Sequence, residues 1–546
     1  MRGVRIAFDL LAVVVGVAVA LFACAIPVYW VAVDKCVVAA AGAGGKSLAD
    51  LAAFRLDSAQ VSTALILARC ATGMEEVEKE AQKAFSENPS WRYGGGDSPF
   101  FAAFCAAAGI KKNTGAPLFS YLASRSARDR LAEFLSQSNN RIVKKILSTR
   151  GLSTVNLPPA MSSAGASFDA AVLTLSLAAQ SGDLGEEFLF ELSSKMDALE
   201  DIKVQQEYEL CAVGVLALAR NLDASAVGAV LKLFKSPDDV FEFAKVYAGQ
   251  VDAHAKDCVV AAALAVGDAP KCARYLRENA ARGGAGAVSF ALEYGEGSVE
   301  FLLENGKPLY ENSPAAELFD GIFAPVKSAF SLACAENPKA FLVLKLLLTV
   351  LGFAVAVSGA LRMLRLGRAS TFLGVRCVLA ALICTAFASA AFEPAAFEVK
   401  IENADAAEFR IAFDKIKSNI VGEKDMFSLD TDSATLAAIA LFFVMQSTVY
   451  VVCLIRIGII RRTRASASLK LKLLENEDNL FDLGLYIGLA GTVASLILLT
   501  FGVITASLMA GYTSTLFGIL FTALVKIVHL RKLKRKLLIE AANEQH

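Results

Sequence analysis

The sequence predicts an all-α membrane protein with six transmembrane helices and a large α-helical, solenoid-like domain across the membrane from both termini. Three observations carry that expectation. Of 546 residues, 55% are hydrophobic and 20% charged, and the apolar excess sits in blocks of about 20 residues, the length that crosses a bilayer core. When the blocks are threaded alternately, four basic clusters fall on one face, as the positive-inside rule expects of the cytoplasm. The long region between the first two blocks carries alanine and leucine at helical spacing, punctuated by Gly, Ser, Asp and Pro.

Taken in order, the first block covers residues 5–32 behind Arg2 and Arg5, and makes residues 1–33 an N-terminal anchor. A cleaved signal sequence, with "LFAC" as a lipoprotein site at Cys24, is the alternative. Against it, the apolar run continues through "AIPVYWVAV", and Phe22 is bulky where a small residue is preferred. Residues 34–338 form the extracytoplasmic helical domain. Within it "VGAVLKLFKSPDDVFEFAKVYAG", "VVAAALAVGDAPKCARYLRENAA" and "AVSFALEYGEGSVEFLLENG" each read as helix, turn, helix, at offsets near 30 residues. Such units stack into an α-solenoid or an irregular bundle; both remain open. "WRYGGGDSPF" marks a loop or subdomain boundary. Residues 339–392 are a transmembrane hairpin of blocks 340–361 and 372–392, followed by an acidic periplasmic loop, 393–433. Blocks 435–458, 484–507 and 512–529 make a three-helix core, 434–530, and a basic tail, 531–546, closes the chain. The remaining basic clusters are Arg362, Arg365 and Arg368; Arg456, Arg461, Arg462, Arg464, Lys470 and Lys472; and Arg531, Lys532, Lys534, Arg535 and Lys536. The expected setting is the inner membrane of a diderm bacterium, with both termini cytoplasmic.

Several functions find no support. Lys plus Arg equals Asp plus Glu at 54 each, so there is no electrostatic footprint for nucleic acid. Three histidines lie far apart and eleven cysteines include no CxxC, so no metal site is expected. Cys258 and Cys272 could meet across adjacent helices. "AAGAGGKS" at 40–47 imitates a phosphate-binding loop, but Ala40 replaces its first glycine and no strand precedes it. There is no GxSxG and no HExxH. The expectation is a non-enzymatic protein without cofactors, whose periplasmic domain binds protein.

The last two blocks carry the functional lead. Gly484, Gly488, Gly491 and Ser495 are spaced i, i+4, i+7, i+11, and Gly511, Thr515, Gly518 and Thr522 repeat that spacing. Each set makes one small, weakly polar stripe on a helix. Small residues let helices approach closely and hydroxyls bond across the seam, while hydroxyls also support water or a proton relay without a buried charge.

"YIGLAGTVASLILL" resembles the second helix of the MotA/TolQ/ExbB proton-channel family, and "TSTLFGILFTALVKI" is similar to its third. The layout of the last three blocks also resembles that family's core. Within the resemblance, which spans roughly the last 100 residues, Gly488, Gly491 and Thr492 match the first motif and Thr515 and Gly518 the second. Ala510 stands where TolQ and ExbB carry a glutamate, and Leu524 replaces a proline. The resemblance implies a homopentamer around a single-span, aspartate-bearing partner of ExbD/TolR/MotB type. It also implies that Thr492, Thr515, Ser495 and Thr522 line the channel, while Gly484, Gly488, Gly491, Gly511 and Gly518 serve helix packing. Gln446 is the most polar side chain at depth in the fourth block.

Overall fold

The computed structural model describes residues 2–71, 73–110, 116–160, 162, 164–363, 371–396, 433–500 and 508–543. Most of the loop 393–433, the end of the block 484–507, Arg365 and Arg368 lie outside the described residues. Every regular element among those residues is helical, and an isolated parallel bridge joins Val33 and Leu309. Four helices are long and apolar enough to cross a membrane: Ala7–Ala25, Pro314–Glu336, Pro338–Met363 and Thr513–Ala542. Shorter apolar stretches, Cys377–Phe392 and Leu483–Val493, accompany them. These lengths and compositions mark a membrane protein. Chain contacts define two compact units, one holding the apolar helices and the other Ala32–Tyr310.

In the apolar unit the first helix is Arg2–Ala25, shorter than the block 5–32 expected from hydropathy. Pro27 explains the stop, because the residue before a proline is pushed out of the helical region. The carbonyls freed there are not wasted. Lys345 donates from Nζ to the Ile26 and Val28 carbonyls at 3.0 and 2.8 Å, and its ammonium lies 4.3 Å from the Tyr29 ring centroid. The Val31 amide donates to Glu393 Oε1 at 2.8 Å. One charge in an apolar helix and one just past the end of another are thereby matched to backbone groups that lack helical partners.

Arg2–Ala25 runs antiparallel to Pro338–Met363 with their backbones in close contact. A Cβ on Gly16 would lie 2.4 Å from the Ala356 nitrogen, and one on Gly352 would lie 2.6 Å from the Ala20 nitrogen. Sequence inspection singled out the C-terminal glycines and passed over this seam. Pro314–Glu336, which falls within the expected domain 34–338, groups by chain contacts with the apolar helices.

In the second unit Ala166–Ser181 packs on Ile202–Ala219, that helix on Asp238–Gly249, and that in turn on Ala269–Glu278. The early helices return to the late ones: Val61–Arg69 packs on Ala253–Val266, and Lys35–Ala41 on Glu296–Asn305. Arg128 and Arg150 both hold the buried Asp169, at 2.9 and 2.6 Å. The segment 40–47 is a packing corner. Gly42 and Gly45 sit where a Cβ would strike the backbone of Tyr294 and Gly297, and Ser47 caps Leu48–Asp57 in a capping box with Asp50.

"WRYGGGDSPF" closes over a buried carboxylate. The Gly94 and Gly95 carbonyls accept from the Ser225 and Ser62 amides at 2.8 and 2.7 Å. Gly95 adopts φ +85°, and a Cβ there would lie 2.3 Å from Asp223 Oδ2, so only glycine fits. Burial pushes the Asp223 carboxyl up to about 6, against hydrogen bonds from Ser62, Ala226 and Ser225 that favour its ionised form. Between the unfolded value near 3.9 and 6, the folded protein holds a proton that the unfolded chain lacks. Its contribution to stability is therefore full below about pH 4, declines as pH rises to about 6, and is flat above. The span is up to about 3 kcal/mol. Asp223→Asn should flatten that part of the curve, measured as the difference in thermal midpoint between pH 4.5 and 6.5 by circular dichroism. An unchanged slope would show that other carboxylates set it.

Candidate functional site

The site lies among Ser433–Arg462, Leu483–Thr500 and Leu508–Ala523, the last continuing through a π-helical turn, Leu524–Leu530, into Arg531–Asn543. The first and second of these helices are joined through Ala467–Asn476 and Asp478–Phe481. Apolar side chains have nowhere better to go in lipid than against lipid, so close helix contact here depends on small residues and cross-helix hydrogen bonds.

The glycines provide the contact. A Cβ on Gly488 would lie 2.8 Å from the Ser514 carbonyl oxygen, and one on Gly518 would lie 2.6 Å from that of Gly484. One on Gly491 would meet Ser514 Oγ at 2.6 Å, and one on Gly484 would meet Thr522 Oγ1 at 2.9 Å and Gln446 Oε1 at 3.2 Å. Four of the five glycines singled out from the sequence thus stand at one seam. The surroundings of the fifth, Gly511, and the side chain of Ser495 lie outside the described residues.

Polar groups follow the same seam. Thr492 and Thr515 share a hydroxyl–hydroxyl hydrogen bond, and their oxygens lie 3.1 and 3.2 Å from the Gly488 carbonyl, so one hydroxyl donates to its neighbour and the other to that carbonyl. Gln446 is fully buried, and its Nε2 donates to the Gly484 carbonyl at 3.0 Å. Three buried oxygens, Gln446 Oε1, Ser514 Oγ and Thr522 Oγ1, have no hydrogen-bond partner among the described residues. A buried polar atom without a partner costs roughly 1–3 kcal/mol, so three along one seam call for an occupant, and water is the simplest that hydroxyl and amide oxygens can hold. Such neutral oxygens suit water and proton relay better than a divalent metal, which favours carboxylate or imidazole donors.

Beyond this polar level the seam meets charged and titratable groups. Lys526 pairs with Asp482 at 2.7 Å, Arg456 Nε donates to Glu477 at 3.2 Å, and the Tyr450 hydroxyl meets His529 Nε2 at 2.9 Å. His529 lies in the π-helical turn, a form enriched at functional sites. Sequence reasoning flagged Thr492, Thr515, Thr522 and Gln446 but missed Ser514, Lys526 and His529. Ser514 is next to Thr515 and so off the i, i+4 stripe, yet it faces the Ser433–Arg462 and Leu483–Thr500 helices near Phe442 and Gly491. Only the three-helix arrangement reveals it.

No family model, curated protein or solved structure matches this chain. The seam's own geometry must therefore carry the functional reading.

Proposed function

We propose that the chain is a multi-pass subunit of an ion-conducting complex of MotA/TolQ/ExbB type in a bacterial inner membrane. On this reading it forms a ring, a pentamer if the resemblance holds, around a single-span partner of ExbD/TolR/MotB type, and couples ion flow to work in the periplasm. The observation that carries the proposal is the file of buried oxygens on Gln446, Ser514 and Thr522, without a hydrogen-bond partner among the described residues, beside the Thr492–Thr515 pair. A seam built only for packing would gain by replacing these groups with apolar ones, because an orphaned polar atom in hydrocarbon is destabilising. Oxygens held ready for water suit a relay.

Six spans with both termini cytoplasmic accord with this reading. Pro314–Glu336, although long and apolar enough to cross a membrane, would then lie along its surface, a placement that suits Glu317, Asp320, Lys327, Glu336 and the mid-helix Pro325. Residues 34–338 up to that helix would be periplasmic, a stack of helices that recruits protein partners.

The alternative is a non-conducting scaffold, and one observation favours it: Thr492 and Thr515 satisfy each other and the Gly488 carbonyl within one chain. The double variant Thr492→Val with Thr515→Val separates the two readings. It keeps shape and removes both hydroxyls. In proteoliposomes holding the complex with its partner, pH-gradient-driven proton uptake should fall at least 10-fold while the thermal midpoint changes by only a few degrees. Undiminished flux would remove the threonines from the path; no flux from the wild type would leave the scaffold.

A further inference from the structure

Val61–Arg69 meets Ala253–Val266 at two adjacent residue pairs. Arg69 and Asp257 form an ion pair at 3.7 Å, and one residue on in the chain from each, the side chains of Cys70 and Cys258 interact across the same helix contact. Both cysteines are buried, at 4% and 2% exposure. His254, one turn before Cys258 and solvent-exposed, places Nε2 at 3.6 Å from the Cys258 sulfur. Beside the pair opens a surface pocket of about 500 Å³, lined by Arg69, Ala71, Glu78, His254 and Asp257 among others. Other cysteines of this unit are placed differently. Cys272, the partner suggested for Cys258 by sequence, directs its thiol to the Val259 carbonyl at 3.8 Å instead. Burial pushes the thiols of Cys105, Cys211 and Cys272 up to about 12. Cys258 departs downward instead, chiefly through its interaction with the Cys70 side chain, with help from Ser289 and His254 against the effect of burial. Cys70 is pushed up.

We propose that Cys70 and Cys258 are a disulfide-forming pair that locks the early helices of this unit onto the late ones; its formation in the cell rests on the periplasmic placement of residues 34–338. The oxidant is the disulfide of a thiol oxidoreductase, acting through the adjoining pocket or before the helices close. The Cys258 thiolate attacks one sulfur of that disulfide, forming a mixed disulfide and releasing the first thiolate of the oxidant. The Cys70 sulfur, losing its proton, then attacks Cys258 Sγ and displaces the second. One S–S bond forms and one breaks, two electrons pass to the oxidant, and the two thiol protons end on its two thiols. The bond would close a loop through most of the helical unit, which restricts the unfolded chain.

The test takes the full chain from its membrane without reductant, alkylates free thiols in denaturant, and maps peptides by mass spectrometry. The expected product is a linked Cys70–Cys258 peptide pair, absent in Cys70→Ser, with a thermal midpoint that falls by roughly 5–15 °C on reduction in the wild type only. If both thiols are alkylated in cell-derived protein but link when the purified, reduced chain is treated with diamide, the pair stands and the periplasmic placement falls. If they remain unlinked under both conditions, or if either sulfur links preferentially to another cysteine, the proposal is overturned.

Discussion

Gly518→Val should break apart the last helical hairpin. A Cβ at 518 would stand 2.6 Å from the Gly484 carbonyl oxygen and 3.3 Å from Gly488 Cα. Both are backbone atoms of a facing helix and cannot swing aside like a side chain. Bringing the first contact to an ordinary separation moves the helices apart by most of an ångström, and the second methyl group of valine asks for more. That displacement stretches the Thr515 and Gln446 hydrogen bonds to the Gly488 and Gly484 carbonyls. Overpacking typically costs about 1–3 kcal/mol and each interhelical hydrogen bond about 0.6 kcal/mol, so a loss of about 3 kcal/mol or more is expected. The readout is the thermal midpoint and the retention of a folded complex on size exclusion in detergent. Gly458→Ala, where a Cβ meets nothing within 4 Å, is the matched control on the neighbouring helix. It should be neutral or slightly stabilising through helix propensity. A Gly518→Val protein that melts like the wild type would mean the seam is not close-packed.

Gly352→Leu should have a comparable effect at the other glycine seam. Its Cβ would meet the Ala20 nitrogen at 2.6 Å and the Gly16 carbonyl oxygen at 2.8 Å. The same interface continues to Gly359, whose Cβ would meet the Asp9 carbonyl oxygen at 2.7 Å. Parting Arg2–Ala25 from Pro338–Met363 also draws Lys345 away from the Ile26 and Val28 carbonyls and breaks its hydrogen bonds to both. A loss of about 2–4 kcal/mol follows from overpacking together with these unmade bonds. Thermal unfolding in detergent should show it, with faster proteolysis around Pro27. Gly321→Ala, in open space on Pro314–Glu336, serves as the control. Wild-type stability in Gly352→Leu would show that the first helix does not depend on this contact.

What could be read from the sequence follows from how local each signal is. Apolar runs announce helices of membrane length because every residue in the run contributes, and the stripes on 484–495 and 511–522 show because their period is short. The end of the first helix at Ala25 also had a local sign, Pro27, which average hydropathy smoothed over. Gly16, Gly352 and Gly359 left no such trace. Their meaning lies in a partner more than 300 residues away, and in isolation each is an ordinary glycine in an apolar helix. Likewise "GGGD" reads as a loop, and only its contact with Asp223 and Ser62 makes it part of a core. Pro314–Glu336 sits within the expected domain 34–338, yet much of its surface is exposed and apolar residues such as Leu318 and Ile322 lie outward, which only the structure shows. At the site itself the glycines and threonines were legible by spacing. Ser514 and the unpartnered oxygens were not, because a missing hydrogen-bond partner is a property of three helices together.

The central claim is a ring of these subunits around a single-span partner. Native mass spectrometry of the detergent-purified complex, with identification of any small membrane protein that co-purifies, tests it most directly. Five copies carrying a single-span protein with an aspartate in or beside its span is the predicted result. A monomer or dimer without such a partner would contradict the channel and leave the glycine–threonine seam as helix packing alone.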